Sequence, residues 1–422
     1  MNSFHDTSSN NRAHNPGSYS VKAMMLYPHG IDEALSIYSI VADFQISESI
    51  YSPTIECIIS VIDGVSLLDK FNILGDERVQ IILAKKPLDD SSEEETFEID
   101  LRIAEIINYT NNSPGQQFYQ FHCVRPHMYI NQSKLLQRPF SGTAAQIISK
   151  ILKSDLDVQF GQVNISSKNT IRGIFPAIKP LEAIYWLLRN TYDDGTPYFI
   201  YDTFTKGMQL KSYKDMINQT TYETYNNSQF YQNKPGTEEY YGEKRRRILK
   251  ISSDNYMGKL AETASGNFAA TLHTIDISNK EYKRFSFAYN GKNKLNTNRP
   301  YSRDVKIRNR SYDQIFDNKN YYVSLNSSAF DNYSNYHEPN KTTIMESEAT
   351  LYNMDFIVHN LNISGDLELC VGSKIEVVIV NSNEDREDRS DKLNSGLYIV
   401  TDIVNRFGKS HEQSIIIKKD SI

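Results

Sequence analysis

Tryptophan occurs once and cysteine three times in 422 residues. Cys57, Cys123 and Cys370 are scattered and show no CxxC spacing. An odd count without pattern argues against a disulfide framework and against structural zinc. Each lies in a strand-like run, so small buried thiols are expected, in a chain that folds in a reducing compartment. No apolar run approaches the roughly 20 residues needed to span a bilayer, and no membrane insertion is expected. Met1 to Ser18 has no apolar central region, which excludes a secretory signal and leaves a flexible polar arm. Positive charge is not in excess either: 46 Lys and Arg stand against 52 Asp and Glu, a net charge of −6. That balance argues against wrapping nucleic acid over a large surface.

Catalytic signatures are missing as well. The chain has no nucleophile elbow, HExxH, Walker loop or GxGxxG. Nine His are scattered; His122 and His127 flank Val124-Arg125-Pro126 without a matching Asp, Glu or Cys cluster, which makes weak metal ligands. The acidic runs Asp89-Asp90-Ser91-Ser92-Glu93-Glu94-Glu95 and Asn383-Glu384-Asp385-Arg386-Glu387-Asp388-Arg389 sit between strands and read as solvated loops. A general acid needs burial to raise its pKa, and nothing in the pattern buries these. Lys244-Arg245-Arg246-Arg247, beside Glu243, reads as the opening of a strand or an intersubunit salt-bridge site rather than a phosphate contact. The reading is therefore not an enzyme: no catalytic, cofactor-binding or metal residue is assigned, no cofactor is expected, and interface residues stay unassigned.

What the chain does contain is strand pattern. Hydrophobic residues make up 39% and mean hydropathy is −0.53, a soluble balance on the polar side. Tyrosine is abundant at 28, which suits sheet surfaces and subunit contacts, where a ring is buried and a hydroxyl stays wet. The last stretch, Leu361 to Ile422, holds three runs rich in β-branched residues: Ile375 to Val380, Ser395 to Val404 and Ser414 to Lys419. Ile375, Val377 and Ile379 share one face and Glu376, Val378 and Val380 the other, and both faces are expected to be covered.

The same cassette occurs near the start. Gly75 to Leu83 parallels Gly372 to Val380, the acidic run at Asp89 stands where that at Asn383 stands, and Phe97 to Asn108 parallels Leu397 to Asn405. Gln117 to Phe121 parallels the closing strand, and Ile107 to Phe118 and Val404 to Ile415 are both eleven positions apart. Order, loop charge and spacing together point to a duplication.

Between the cassettes the character changes. Thr143-Ala144-Ala145-Gln146 is a capping-box pattern, followed by Ile147, Ile148, Ile151 and Leu152 at helical spacing. Pro180 opens a second helix with Leu181, Ile184, Tyr185, Leu187 and Leu188 as its stripe. Pro197 to Tyr201 and Met208 to Leu210 form a hairpin around Thr203 to Gly207, Gly258 to Gly266 starts as a short helix, and Lys341 to Asn353 is a helix with Met345, Ala349 and Tyr352 inward. At 422 residues, several domains are expected. The fold class is mainly β, α+β overall: two similar antiparallel β-barrel domains, a small α+β domain and long polar connectors. The boundaries are 1–19 for the arm, 20–132 for the first barrel, 133–214 for the α+β domain and 215–243 for a connector. The second barrel is split over 244–290 and 350–422, around a polar insertion at 291–349 that ends in a helix.

Two stretches resemble the central baseplate hub proteins of contractile-tailed bacteriophages. One runs from Phe44 to Leu83 through Glu48-Ser49-Ile50, Val61-Ile62-Asp63 and Leu74-Gly75-Asp76-Glu77. The other runs from Ala264-Ser265-Gly266-Asn267-Phe268 to Thr274-Ile275-Asp276, then through Val371-Gly372 and Ser395 to Thr401 to Lys419-Asp420-Ser421. The helical start after Arg138-Pro139-Phe140 also fits, and the likeness covers the chain from about residue 20. The order of these stretches carries it; the polar stretch 291–340 is expanded. The resemblance implies a homotrimer whose two tube-type barrels per chain make a pseudo-sixfold ring. That ring would join a threefold spike to a sixfold tail tube, with a bore that passes DNA. Implied partners are the central spike protein, with or without a lysozyme domain, the tail tube-initiator and baseplate wedge proteins. The implied location is the virion baseplate, assembled in the host cytoplasm. A spike of another contractile injection machine, such as a type VI secretion or late-control tail protein, is the alternative. Such proteins carry a C-terminal spike, where this sequence reaches Ile422 just after a strand. A tail-borne cell-wall hydrolase is the alternative of another class.

Overall fold

The computed structural model describes residues 17–31, 33–85, 95–113, 116–158, 170–189, 195–228, 233, 238–256, 269–277, 280–289, 294–296, 306–311, 320–325, 345–380 and 391–422. The first third is a run of strands: β1 Tyr19–Tyr27, β2 Leu35–Ser36, β3 Val41–Ser49, β4 Glu56–Asp63, β5 Arg78–Lys85, β6 Glu95–Ser113 and β7 Gln116–Val124. The middle holds β8 Pro139–Thr143, β9 Thr170–Ile174, β10 Tyr198–Thr203 and β11 Gly207–Ser212, with helices Ala144–Lys150 and Pro180–Arg189. Then come β12 Thr224–Asn226, β13 Ile248–Tyr256, β14 Ala269–Asp276, β15 Glu281–Ala288, β16 Lys306–Ile307, β17 Arg310–Ser311 and β18 Asn320–Leu325. The chain closes with β19 Ile357–Ser364, β20 Lys374–Val378, β21 Gly396–Phe407 and β22 His411–Lys419. The protein is mainly β, as expected.

One sheet of 13 strands dominates, in the order β13-β19-β22-β21-β3-β4-β7-β6-β5-β1-β2, with β20 on β21 and β12 on β20. It contains the same path twice. The first half reads β3-β4-β7-β6-β5-β1 and the second β13-β19-β22-β21-β20-β12. Numbered in chain order within each half, the two connectivities coincide. They differ at one strand: β1 is antiparallel to β5, whereas β12 is parallel to β20.

Finer features repeat too. The register slips at an equivalent place in both halves, between Ile103 and Glu105 in β6 and between Val400 and Asp402 in β21. Asp76 N–H donates to Ile103 O and Gly372 N–H to Val400 O, with left-handed φ of 74° and 76°. Gly372 thus corresponds to Asp76, one position beyond the glycine-on-glycine match. The eleven-residue spacing also misaligns the strands. Ile415 faces Ile403, whereas Phe118 faces Thr110, because further slips lengthen the first hairpin.

Each half wraps its own core. Met24, Phe44, Ile46, Ile59, Ile81, Ile99 and Phe121 fill the first, and Leu361, Ile375, Val377, Ile399, Ile403 and Ile415 the second. Strand alternation selects them: in β3, Val41, Phe44, Ile46 and Glu48 are buried and their neighbours less so. The second ring of strands meets its start at an isolated bridge between Asn226 and Arg247. The connector around Thr224 therefore supplies a strand that its polar composition concealed.

The third core lies between the middle helices and the hairpin β10–β11, with Ile147, Ile148, Leu152, Ile184, Leu187 and Ile200 inside. The capping box at Thr143 is present in both directions. Several expectations need correction. Tyr185 is exposed and Ala183 is buried, because the buried arc of the helix runs from Ala183 through Ile184 to Leu181 and leaves Tyr185 at its margin. In helix Ser347–Met354, Ala349 is buried but Tyr352 is exposed. On β20 the face of Ile375 and Val377 is buried and that of Glu376 and Val378 half-buried, and just past the strand Val380 is exposed. Strands β14 and β15, expected in the second barrel, form a separate three-stranded sheet with β18. Ala270 and Leu272 there pack with Phe285, Phe287 and Met345 as a small core of their own. The helix expected at Gly258 lies outside the described residues.

Thr143→Ala removes one half of the capping box. It should lower unfolding stability by about 1 kcal/mol, read as a lower denaturant midpoint at unchanged slope.

Candidate assembly surface

The two halves are joined by a ladder. β21 pairs antiparallel with β3 from Asp402↔Ser49 to Phe407↔Phe44. Both ends of this joint are fixed by side chains. Ser49 Oγ donates to Asp402 Oδ1 at 2.7 Å. At the other end Phe44 stacks on Phe407 at 4.5 Å between centroids, Phe407 on His411 at 4.4 Å, and Tyr19 meets Phe407 edge-on at 5.2 Å. Tyr19 OH donates to Gly408 O at 2.8 Å, so the first strand also grips the last turn.

Behind the stack is a buried polar cluster. His411, Asn405, Gln413 and Asp366 are all within 3% of full burial. Burial lowers the His411 pKa to about 3, so the ring is neutral, and its Nε2–H donates to Asn405 Oδ1 at 2.9 Å. Gln413 Nε2 donates to Asn405 Oδ1 and Asp366 O, and Asp366 N–H donates to Gln413 Oε1. A Cβ at Gly365 would lie 2.1 Å from the His411 ring, so this turn requires glycine.

Glu48 marks the point where the first half meets the middle hairpin and the second half. It is 3% exposed at a position where alternation calls for an apolar residue. Its Oε1 accepts from Phe204 N–H at 2.8 Å, in the tip between β10 and β11, and its Oε2 from Val371 N–H at 3.3 Å, before β20. One carboxylate from the first half thus holds both the middle hairpin and the second half. Phe204 inserts into the first core, and Tyr201 of the same hairpin into the second. Gly372 lies against Tyr201, where a Cβ would meet the hydroxyl at 2.3 Å. Beside Glu48, Arg125 Nε donates to Asp202 Oδ2 at 2.9 Å, and His127 Nε2–H donates to Pro53 O at 2.9 Å. A cavity of about 230 Å³ opens here, lined by Arg125, His127, Leu156, Asp202 and Met208.

Two members of the basic run are paired within the chain: Arg246 Nε lies 2.9 Å and Arg245 Nη2 3.7 Å from Glu223 Oε2. His122 and His127 are not brought together around a common centre. His122 sits between Glu105 at 3.1 Å and Glu56 at 3.7 Å, and burial lowers the His127 pKa. Most of both acidic runs lies outside the described residues, which include only Glu95. The three cysteines are buried, Cys370 in a turn rather than a strand. Among the described residues no group of three His, Cys, Asp or Glu is placed to hold a metal, and no helix is long and apolar enough to cross a membrane. Sequence reasoning missed Glu48 as a junction residue; its signal was an acidic residue at an inward position of a β-strand.

The fold is similar to that of solved structures that include two tail proteins. The tail protein from Neisseria meningitidis MC58 is 8% identical with a TM-score of 0.55, over 95% of this chain and 97% of that one. The 43 kDa tail protein of prophage MuSo2 from Shewanella oneidensis is 7% identical with a TM-score of 0.52, over 94% of this chain and 98% of that one. No protein-family model matches the chain, and no curated protein matches it by sequence. At these identities the likeness is one of fold, shared with these two tail proteins.

Burial raises the Glu48 pKa from 4.5 to about 7; the Phe204 and Val371 amides oppose this, Asp202 adds to it and Arg125 opposes it. The folded state therefore holds the proton more tightly than the unfolded chain. Stability is full below the unfolded value, falls as pH rises toward 7, and loses on the order of 3 kcal/mol above it. Glu48→Gln should flatten this part of the pH profile, measured by thermal unfolding between pH 5 and pH 8; an unchanged slope would show that Glu48 does not titrate there. Phe407→Ala should cost about 3–5 kcal/mol in denaturant unfolding.

Proposed function

We propose that this chain is a structural hub of a contractile phage tail, a homotrimer that joins a threefold spike to a sixfold tube. The observation that carries this reading is the repeated strand path: one polypeptide holds two near-equivalent modules. Three copies then offer six similar modules on one face while keeping threefold symmetry on the other. The shared fold with phage tail proteins supports the same reading. In it, the first module occupies 20–132, and the second is built from β12, β13 and the segment 350–422. The middle part, 133–214, and the connectors form the seat for the spike. That spike protein, a tube-initiator protein and baseplate wedge proteins are the partners, and the virion baseplate is the location. The role is one of architecture, without catalysis. A net charge of −6 suits a bore that lets DNA pass, since a basic bore would hold phosphates.

Native mass measurement and negative-stain images of the purified full chain test this together. The expected result is a trimer with a central hole and no muralytic activity. A monomer, or a particle without a hole, would overturn it, and turnover of peptidoglycan would favour a hydrolase.

A further inference from the structure

The filled joint between β3 and β21 has an unfilled twin. In the shared path β13 stands where β3 stands, and β6 where β21 stands. β21 pairs along one edge with β22; its other edge takes β20 at Lys374↔Ile399 to Val377↔Gly396 and then β3 from Asp402 to Phe407. β6 pairs along one edge with β7, and its other edge takes β5 as far as Arg102. Beyond that, among the described residues, no strand pairs with this second edge from Glu105 to Asn111. Likewise β13 has β19 on one edge, and no strand ladder on the other among the described residues. The two edges lie apart along the sheet, with six strands between them.

Both edges are built to be covered. Tyr109 on β6 is 52% exposed and Leu249 on β13 is 58% exposed. Ile106, Ile107 and Ile251 are half-buried. Long edges carrying apolar side chains are templates for pairing with another chain.

We propose that the β6 edge from Glu105 to Asn111 pairs antiparallel with the β13 edge of a second copy of this chain. The inference rests on the hub reading and names the strands that join one copy to the next. The contact is head-to-tail, using different surfaces on each copy, and such contacts generate rings when the rotation closes. The twin joint also sets the register. Val404 faces Ser47 within the chain. Ile107 corresponds to Val404, each lying two residues past its bulge at Glu105 or Asp402. Asn255 corresponds to Ser47: their partners Val358 and Glu56 pair in turn with Lys418 and Val124, which face Ile399 and Arg102. Ile107 of one copy therefore lies opposite Asn255 of the next.

The test uses the full chain with Ile107→Cys and Asn255→Cys together, and each alone. The native thiols are buried and stay silent under mild oxidation with copper phenanthroline. The double variant should give a covalent ladder that stops at the trimer on a non-reducing gel, and the single variants should not. Wild-type hydrogen exchange gives a second reading: amides of 105–111 and 248–256 should be protected in the assembled form. A trimer by native mass with no double-variant ladder and fast exchange at both edges overturns this pairing and leaves the hub reading standing. A wild-type monomer by native mass overturns both.

Discussion

A β-strand edge in water is a row of unmet donors and acceptors, and this chain is shaped by the need to place such edges. Two modules with separate cores would each end in a bare edge. The ladder between β3 and β21 removes one from each by turning two sheets into one. Everything near that ladder holds it in register: the Ser49–Asp402 bond at one end, the Tyr19, Phe44, Phe407 and His411 rings at the other, and Glu48 between them. A slip of one residue would turn Phe44, Ile46 and Glu48 outward together.

Polar groups at this joint are costly and specific. Glu48 sits where an apolar side chain would be cheaper to bury, and burial raises its pKa. In return it binds two backbone amides from segments far apart in sequence, an arrangement that a leucine cannot replace. The His411, Asn405 and Gln413 cluster works alike: its members satisfy one another, so an altered pairing would leave several buried groups without partners. The middle hairpin belongs to the same device, since Phe204 and Tyr201 on its two sides enter different cores.

Much of this was legible in residues read singly. The capping box at Thr143, the helix opened by Pro180 and the hairpin around Thr203 are local features, and each formed where its local chemistry placed it. The repeated cassette was legible too, though shifted by one residue at Gly372, because a left-handed turn position accepts either Gly or Asp. Tyr185 and Tyr352 were misplaced since an aromatic residue fits a core or a wet surface equally well. The short strand β12 was hidden in a polar connector, because parallel pairing at a sheet margin needs no apolar pattern.

By itself, the sequence determined that strands dominate, that a cassette occurs twice, and where helices begin. These follow from period, propensity and capping, which act over a few residues. Only the tertiary structure decided that β14 and β15 leave the large sheet, that β3 joins β21, and that Glu48 ties the middle hairpin and the second half to the first. Strand pairing is chosen by edge competition and by what fills the space between sheets, and neither is written in the spacing of one strand.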